Sequence, residues 1–305
     1  MKLTVATCQF PIGSDARENL GHVERQVRAA ADRSADVAHF PECCLSGYAG
    51  ADMASFKGFD WDRLRECTQR VLDLAREFSI WIVLGLSHQL TPPHKPHNSL
   101  YIIDDRGRIA DRYDKMVCAG DSSEETGDLA HYSPGDHFNV FSIKGIRCGA
   151  LICNDYRYPE LYREYKRRGV QLVFHSYHAG GVPSSRFAAA REEVGKDFWR
   201  LNPGTTIPEI TMPATMIFQA ANNHVWISCP NSSARESCWG SFFVRPDGVI
   251  TGRLRRNTAG VLISEVDTDE KIYDSTVDWR ERAMDGVLHS GTLVRDERSE
   301  VRTSF

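Results

Sequence analysis

No stretch of this chain approaches the roughly 20 consecutive apolar residues that would cross a bilayer. Its opening, Met1-Lys2-Leu3-Thr4-Val5-Ala6-Thr7-Cys8, reaches Gln9 too soon for a secretory apolar segment, so a cytoplasmic protein is expected. There is no basic excess either: 37 Lys and Arg against 41 Asp and Glu leave a formal net charge of −4. Nothing in that balance draws the chain to nucleic acid or to an anionic membrane. The nine cysteines are an odd set without a Cys-x-x-Cys pair, which fits neither a zinc ribbon nor a secreted disulfide framework. His88, His94 and His97 lie near one another but have no second cluster of ligands, so no metal is expected. Gly-x-Gly-x-x-Gly and phosphate loops are also missing, which argues against a nucleotide cofactor. A small molecule is the expected partner.

What the chain does contain is an alternation of strand-like and helix-like segments, with 41% hydrophobic residues to fill a core. Residues 3–8, 36–41, 80–87, 146–152 and 170–175 read as buried strands. Leu20, Val23, Val27, Ala30 and Ala31 mark an amphipathic helix capped by Asp15, and Leu64, Cys67, Val71, Leu74, Ala75 and Phe78 mark a second. Asp105-Arg106-Gly107 and Lys144-Gly145 sit at hairpin turns. Residues 184–199 read as helix, and Thr211 would cap another with Pro213 in its first turn. Residues 118–137 show no period and read as an ordered loop beside a site. Roughly a dozen strands around four main helices imply an α/β fold of sheets packed on one another and covered outside by helices. With no linker or repeat, a single domain over residues 1–278 is expected. The charged tail, 279–305, is either disordered or ordered only against a partner subunit.

The stretch Arg147-Cys-Gly-Ala-Leu-Ile-Cys-Asn-Asp-Tyr-Arg-Tyr-Pro-Glu160 organises the rest. A short apolar strand runs into a turn at Cys153, and Pro159 opens a helix that Gly169 stops. A thiol held there, near a helix N-terminus, is presented as a nucleophile. A buried core cysteine is the competing reading. Glu42 and Lys115 also follow short strands, which would place a carboxylate, an amine and a thiol at one edge of a sheet. Together they make chemical sense: the carboxylate takes the thiol's proton, and the ammonium stabilises the thiolate and the oxyanion that follows. Asp155 and Arg157 read as an ion pair shaping the turn.

Phe40-Pro41-Glu42, Tyr113-Asp114-Lys115 and Cys153-Asn154-Asp155-Tyr156-Arg157-Tyr158-Pro159-Glu160 resemble, in order and separation, the three catalytic motifs of the nitrilase (carbon–nitrogen hydrolase) superfamily. The resemblance extends over Asn98-Ser99, Ser133-Pro134-Gly135-Asp136 and residues 240–248, and so over most of the chain to about residue 265. It implies a four-layer αββα sandwich, usually paired through outer helices into a homodimer. It also implies Glu42 as general base, Lys115 as stabiliser of the tetrahedral intermediate, Cys153 as the nucleophile that forms a thioester, and the Asn154 N–H as second oxyanion donor. No cofactor is implied. Relatives often carry a further carboxylate beside the lysine. Register favours Asp128 for that place and side-chain length favours Glu125. His175 and His178, after a strand on the site side, are candidates for the pocket lining. Gln219-Ala220-Ala221-Asn222-Asn223 and residues 201–210 depart from the common pattern where pocket walls and dimer contacts are expected.

The reading favoured by these motifs is a cysteine-dependent hydrolase of small linear amides, of amidase rather than true nitrilase type. An N-carbamoyl amine or acid amidohydrolase is the close alternative. A binding or regulatory protein that kept the fold, and an acyl transferase, are the readings of other classes.

Overall fold

The computed structural model describes residues 1–303, within which the periodic segments form twelve strands and seven α-helices. In chain order they are β1 (Lys2–Gln9), α1 (Ala16–Ala31), β2 (Val37–His39), α2 (Trp61–Phe78), β3 (Trp81–His88), β4 (His97–Ile103), β5 (Ile109–Asp114), β6 (Phe141–Ile143), β7 (Ile146–Ile152), α3 (Pro159–Arg167) and β8 (Leu172–Ser176). Then come α4 (Ser184–Val194), α5 (Ile207–Asn223), β9 (Trp226–Cys229), β10 (Phe242–Val244), β11 (Ile250–Arg253), β12 (Gly260–Asp267), α6 (Arg280–Met284) and α7 (Glu297–Glu300).

The strands make two six-stranded sheets, in the orders β12-β1-β2-β3-β4-β5 and β11-β10-β9-β8-β7-β6. Each has a parallel centre, β1-β2-β3 or β7-β8-β9, flanked by antiparallel strands. Parallel neighbours need helical crossovers, which place helices over the outer faces. The period of two along β1 shows the layering: Leu3 and Val5 join the core between the sheets, while Ala6 and Cys8 pack with Val23, Val27, Leu64 and Val71 of α1 and α2. On the other side Met212, Met216 and Ala220 of α5 and Tyr162 and Tyr165 of α3 cover the second sheet. The expected αββα sandwich is the observed fold.

A buried polar seam ties the two sheets near the site. His39 on β2 bonds Ser228 on β9 and Ser176 on β8, each at 2.8 Å, and the Ser176 hydroxyl donates to the Phe40 carbonyl. Burial holds the imidazole well below its ordinary pKa, so it is neutral and can accept from one serine while donating to the other. The strand leading to Glu42 is thereby fixed against the strand beside Cys153.

One expectation changes, and two segments gain detail. The helix read from Thr211 starts one turn earlier: the Thr206 hydroxyl accepts from Glu209 N, the Glu209 carboxylate accepts from Thr206 N, and Pro208 sits in the first turn. Thr206-Ile-Pro-Glu209 is a stronger start signal than Thr211, whose hydroxyl instead donates inside the helix to the Ile207 carbonyl. Residues 118–137 contain a single-turn 3-10 helix, Asp128–Ala130. The tail carries the short helices α6 and α7, and Leu288, Leu293 and Val294 are exposed; its last two positions, 304 and 305, lie outside the described residues. Among the described residues no helix is long and apolar enough to cross a membrane.

Candidate active site

Strands from both sheets deliver the candidate groups, so the cluster lies between the sheets rather than along the edge of one. Glu42 follows β2 and Lys115 follows β5 in the first sheet, while Cys153 follows β7 in the second. Two glycines permit the close approach. A Cβ on Gly85 would stand 2.1 Å from the Pro41 carbonyl oxygen, so β3 admits the Glu42 loop only because it has none. A Cβ on Gly135 would stand 2.3 Å from the Asp114 carbonyl oxygen, beside the point where Gly135 N donates to the Lys115 carbonyl.

Glu42 and Lys115 are almost fully buried and 2.9 Å apart, from Oε1 to Nζ. Asn98 Nδ2 donates to the same Glu42 oxygen at 2.7 Å, and the Asn98 carbonyl accepts from Lys115 N. One asparagine on β4 thus sets the spacing of the Glu42 carboxylate and the Lys115 ammonium. Burial opposes the charge on Lys115, but the Glu42, Tyr48 and Asp128 groups around it keep its pKa well above the ordinary value.

Asp128 completes the cluster. Its Oδ2 stands 2.7 Å from Lys115 Nζ and accepts from Ala119 N, and the Tyr48 hydroxyl donates to its Oδ1. Although burial works against ionisation, the Lys115 charge and these hydrogen bonds hold its carboxyl below the ordinary range. Glu125, the alternative carboxylate, is exposed and away from the cluster. Tyr48 went unassigned in the sequence. Its hydroxyl is 3.4 Å from Lys115 Nζ, and the ammonium lies over its ring at 5.6 Å from the centroid. The signal available was an aromatic in a Gly-flanked loop six residues past Glu42.

Cys153 has a left-handed backbone (φ 41°) at the start of a 3-10 turn, Cys153–Arg157, that leads into α3. A non-glycine residue held there is uncommon and costs some backbone strain. Burial pushes its thiol pKa well up and the Glu42 charge adds to that, against the opposing pull of Lys115. The resting sulfur is therefore held as the thiol, with Lys115 alongside. Asn154, whose N–H was expected to donate to an oxyanion, sits in the same turn, and its side chain donates to the Cys118 carbonyl at 3.2 Å.

Asp155 does not pair with Arg157. Its carboxylate accepts from Tyr113 Oη, Val117 N and Ile152 N at 2.8, 2.9 and 3.0 Å, tying the Lys115 loop to the Cys153 strand. Burial lifts its pKa to about 6. Arg157 instead lies over the Tyr156 ring. The reason is position: Asp155 points into the sandwich, whereas Arg157 is solvent-exposed. His175 is buried, with Nδ1 2.5 Å from Tyr162 Oη and Nε2 3.1 Å from the Cys153 carbonyl, and burial lowers its pKa to about 3. It braces the Cys153 backbone as a neutral ring. His178 does line a cavity next to the cluster. Among the described residues no group of three or more His, Cys, Asp or Glu side chains is arranged to hold a metal ion.

Two mixed sheets flanked by helices thus gather a carboxylate, an ammonium and a thiol where they meet. The chain belongs to the carbon–nitrogen hydrolase family, whose model matches residues 4–271. It is 25% identical to N-carbamoylputrescine amidase of Solanum tuberosum over 98% of each chain. It is 30% identical to an omega-amidase of Homo sapiens over 55% of this chain and 61% of that one. Among solved structures, an amidase from Nesterenkonia sp. shares the fold with a TM-score of 0.70 at 21% identity, covering 94% of this chain and all of that one. A cysteine-to-alanine variant of the same amidase, in complex with butyramide, superposes with a TM-score of 0.68 at 21% identity, over 88% and 92% of the two chains.

Proposed function

We propose that the protein hydrolyses a small linear amide through a thioester on Cys153 and releases ammonia. The observation that carries this reading is the division of labour between the two Glu42 oxygens. Oε1 is occupied by Asn98 and Lys115, whereas Oε2 is buried with no N–H or O–H partner among the described residues, and the Cys153 thiol is the group left to it. A buried carboxylate oxygen without a donor costs the fold stability, and a role in receiving a proton accounts for its being kept.

As sulfur attacks the amide carbon, its proton passes to Glu42 and the carbonyl electrons move to oxygen. Two Lys115 N–H groups are held by Glu42 and Asp128, and the third has only the long 3.4 Å contact to Tyr48, so it is free for the oxyanion, with the Asn154 N–H as second donor. Collapse breaks the C–N bond, and nitrogen leaves as ammonia with the proton from Glu42. Water, deprotonated by Glu42, then cleaves the thioester to the carboxylic acid and the free thiol.

An N-carbamoyl amine is the second reading, favoured by the relative from Solanum tuberosum that matches end to end; the same attack would fall on the ureido carbonyl. The working assembly in either reading is a homodimer through α3 and α5, supported by exposed Ile217 and Phe218 on α5. A non-catalytic binding protein would leave a panel of amides unhydrolysed. Intact-mass analysis during turnover of that panel is the test: an adduct equal to the acyl half on Cys153, absent in Cys153→Ala, is expected. Ammonia release by Cys153→Ala at even a few per cent of wild type would overturn the mechanism.

A further inference from the structure

The Cys153 carbonyl accepts from His175 Nε2 at 3.1 Å, and that carbonyl shares a peptide plane with the Asn154 N–H. The peptide bond between the two residues is trans, so the carbonyl and the N–H point in opposite directions from it. Whatever holds the carbonyl therefore aims the N–H. His175 lies on β8, beside β7 in the second sheet. Away from β8, the turn meets the loop after Lys115: the Asn154 side chain donates to the Cys118 carbonyl at 3.2 Å, and the Asp155 carboxylate accepts from Val117 N at 2.9 Å. The Asn154 N–H itself has no acceptor among the described residues.

The ring that holds the carbonyl is itself fixed. It is fully buried and stacked on Tyr177, with centroids 4.5 Å apart and planes 7° apart, and on Tyr162 at 5.8 Å and 23°. A carbonyl only accepts, so Nε2 carries the proton and Nδ1 accepts from the Tyr162 hydroxyl of α3, 2.5 Å away. The Met216 sulfur of α5 lies 3.2 Å from the same hydroxyl, but a thioether is the weaker acceptor, and it takes the Tyr177 hydroxyl at 3.0 Å. Plane and tautomer of His175 are thus both set by its neighbours.

We propose that His175 is a positioning residue for the chemistry at Cys153: its Nε2–H holds the Cys153–Asn154 peptide so that the Asn154 N–H stands ready for the oxyanion. This rests on the amidase reading above. The need for it arises from the turn. A 3-10 turn has poorer hydrogen-bond geometry than an α-helix, this one is five residues long, and it begins at a residue whose φ of 41° is uncommon outside glycine. A donor from outside the turn restrains its first peptide against tilting. Burial and the nearby Lys115 charge keep the imidazole neutral, so the restraint sets no second cation beside the ammonium. With Nδ1 taken by Tyr162 and Nε2 by the carbonyl, the ring has no nitrogen left to serve as acid or base.

His175→Phe keeps a ring between Tyr162 and Tyr177 and removes the donor, while the Tyr162 hydroxyl retains the Met216 sulfur as acceptor. His175→Gln restores an amide N–H near the place of Nε2. On whichever small amide the wild type hydrolyses fastest, His175→Phe is expected to lower kcat about 10- to 10²-fold with KM changed less than about twofold, and His175→Gln to recover part of the loss. A second pair of probes separates sulfur from oxygen. Butyraldehyde forms a hemithioacetal on Cys153: sulfur bonds to the carbonyl carbon, the carbonyl electrons pass to oxygen, the thiol's proton goes to Glu42, and the oxygen rests on the oxyanion donors. Methyl methanethiosulfonate exchanges at the same sulfur, expels methanesulfinate and develops no oxyanion. With peptide mass mapping to follow Cys153, protection by butyraldehyde should weaken about tenfold or more in His175→Phe, and the unprotected thiosulfonate rate should stay within about twofold of wild type.

Equal losses in aldehyde protection and thiosulfonate rate would make His175 a support of the thiol or of the fold at large, and an unchanged kcat in His175→Phe would show that the turn holds its peptide unaided. Either result overturns the proposal. If His175→Phe does not fold, Tyr162→Phe takes its place, because without that hydroxyl the ring tautomer is no longer fixed. The same split is expected at smaller size, with kcat and aldehyde protection down about threefold and the thiosulfonate rate kept, and its absence sinks the proposal. If the wild type turns over no amide, the amidase reading fails on its own account. The two thiol probes then still decide the role of His175, since neither needs turnover, and a wild-type Cys153 that butyraldehyde never protects overturns it.

Discussion

Glu42, Lys115 and Asp128 are each at most 4% exposed and are locked to one another and to Asn98, Tyr48 and Ala119 by hydrogen bonds. Helix α4, which walls the adjoining cavity, buries none of its eleven residues. Floor and wall lie side by side, yet they meet different demands. For the proposed chemistry, an ammonium that is to meet a developing oxyanion needs a dry setting and carboxylates that fix it, because a donor already in place loses nothing to reorganisation. A wall that chooses among substrates needs only to present side chains to a cavity. It can therefore ride on a crossover between two strands, where a change costs the fold little.

The sharpest way to break this contrast is Lys115→Met, which keeps the stem and removes the charge. A fall in kcat of about 10²- to 10³-fold with a smaller change in KM is expected; a loss of affinity at preserved kcat would move Lys115 from the chemistry to substrate anchoring. Next in size, Asp128→Asn should lower kcat/KM about 10²-fold, while Glu125→Gln stays near wild type. Equal small effects would mean that Glu42 alone orients the ammonium.

Asp155→Asn probes the floor through stability. An amide cannot satisfy all three donors, so a loss of about 1–3 kcal/mol in denaturant unfolding is expected. Because burial raises the Asp155 pKa from 3.8 to about 6, the fold favours the protonated acid, and this group's contribution should decline as pH rises across that interval. The Asn variant should lack that slope. The smallest effect belongs to the wall: Glu192→Gln, exposed on α4 and unpaired among the described residues, should shift stability by less than about 0.5 kcal/mol. A shift as large as that of Asp155→Asn would erase the difference between floor and wall.

Local pattern made much of this legible. The apolar runs 146–152 and 170–175 correspond to β7 and β8, the Asp15 cap opens α1 with bonds from Arg17 N and Glu18 N, and Glu42, Lys115 and Cys153 do stand at strand ends. Each of those features depends on neighbours a few residues away, which the chain carries in its order. The Thr206 cap is also local, but Thr211 with Pro213 two residues on offers a competing start signal one turn later in the same segment.

Closure through space was not legible. The sequence alone left Asp128 and Glu125 open, three residues apart in one loop. The choice rests on Asp128 N reaching the Ala119 carbonyl and Ala119 N reaching Asp128 Oδ2, both at 2.7 Å, after a turn at Gly127 with φ 55°. Likewise Asn98 is 56 positions from Glu42 and Tyr48 is 80 from Asp128, and only the packing of β4 beside β3 and of the Gly47-Tyr48 loop over the lysine brings them together. The order of residues determined which groups stand at strand ends. Which of them meet, and which charges are left facing the cavity, was decided by two sheets closing on each other, since burial forces every polar group inside to find its partner across the fold.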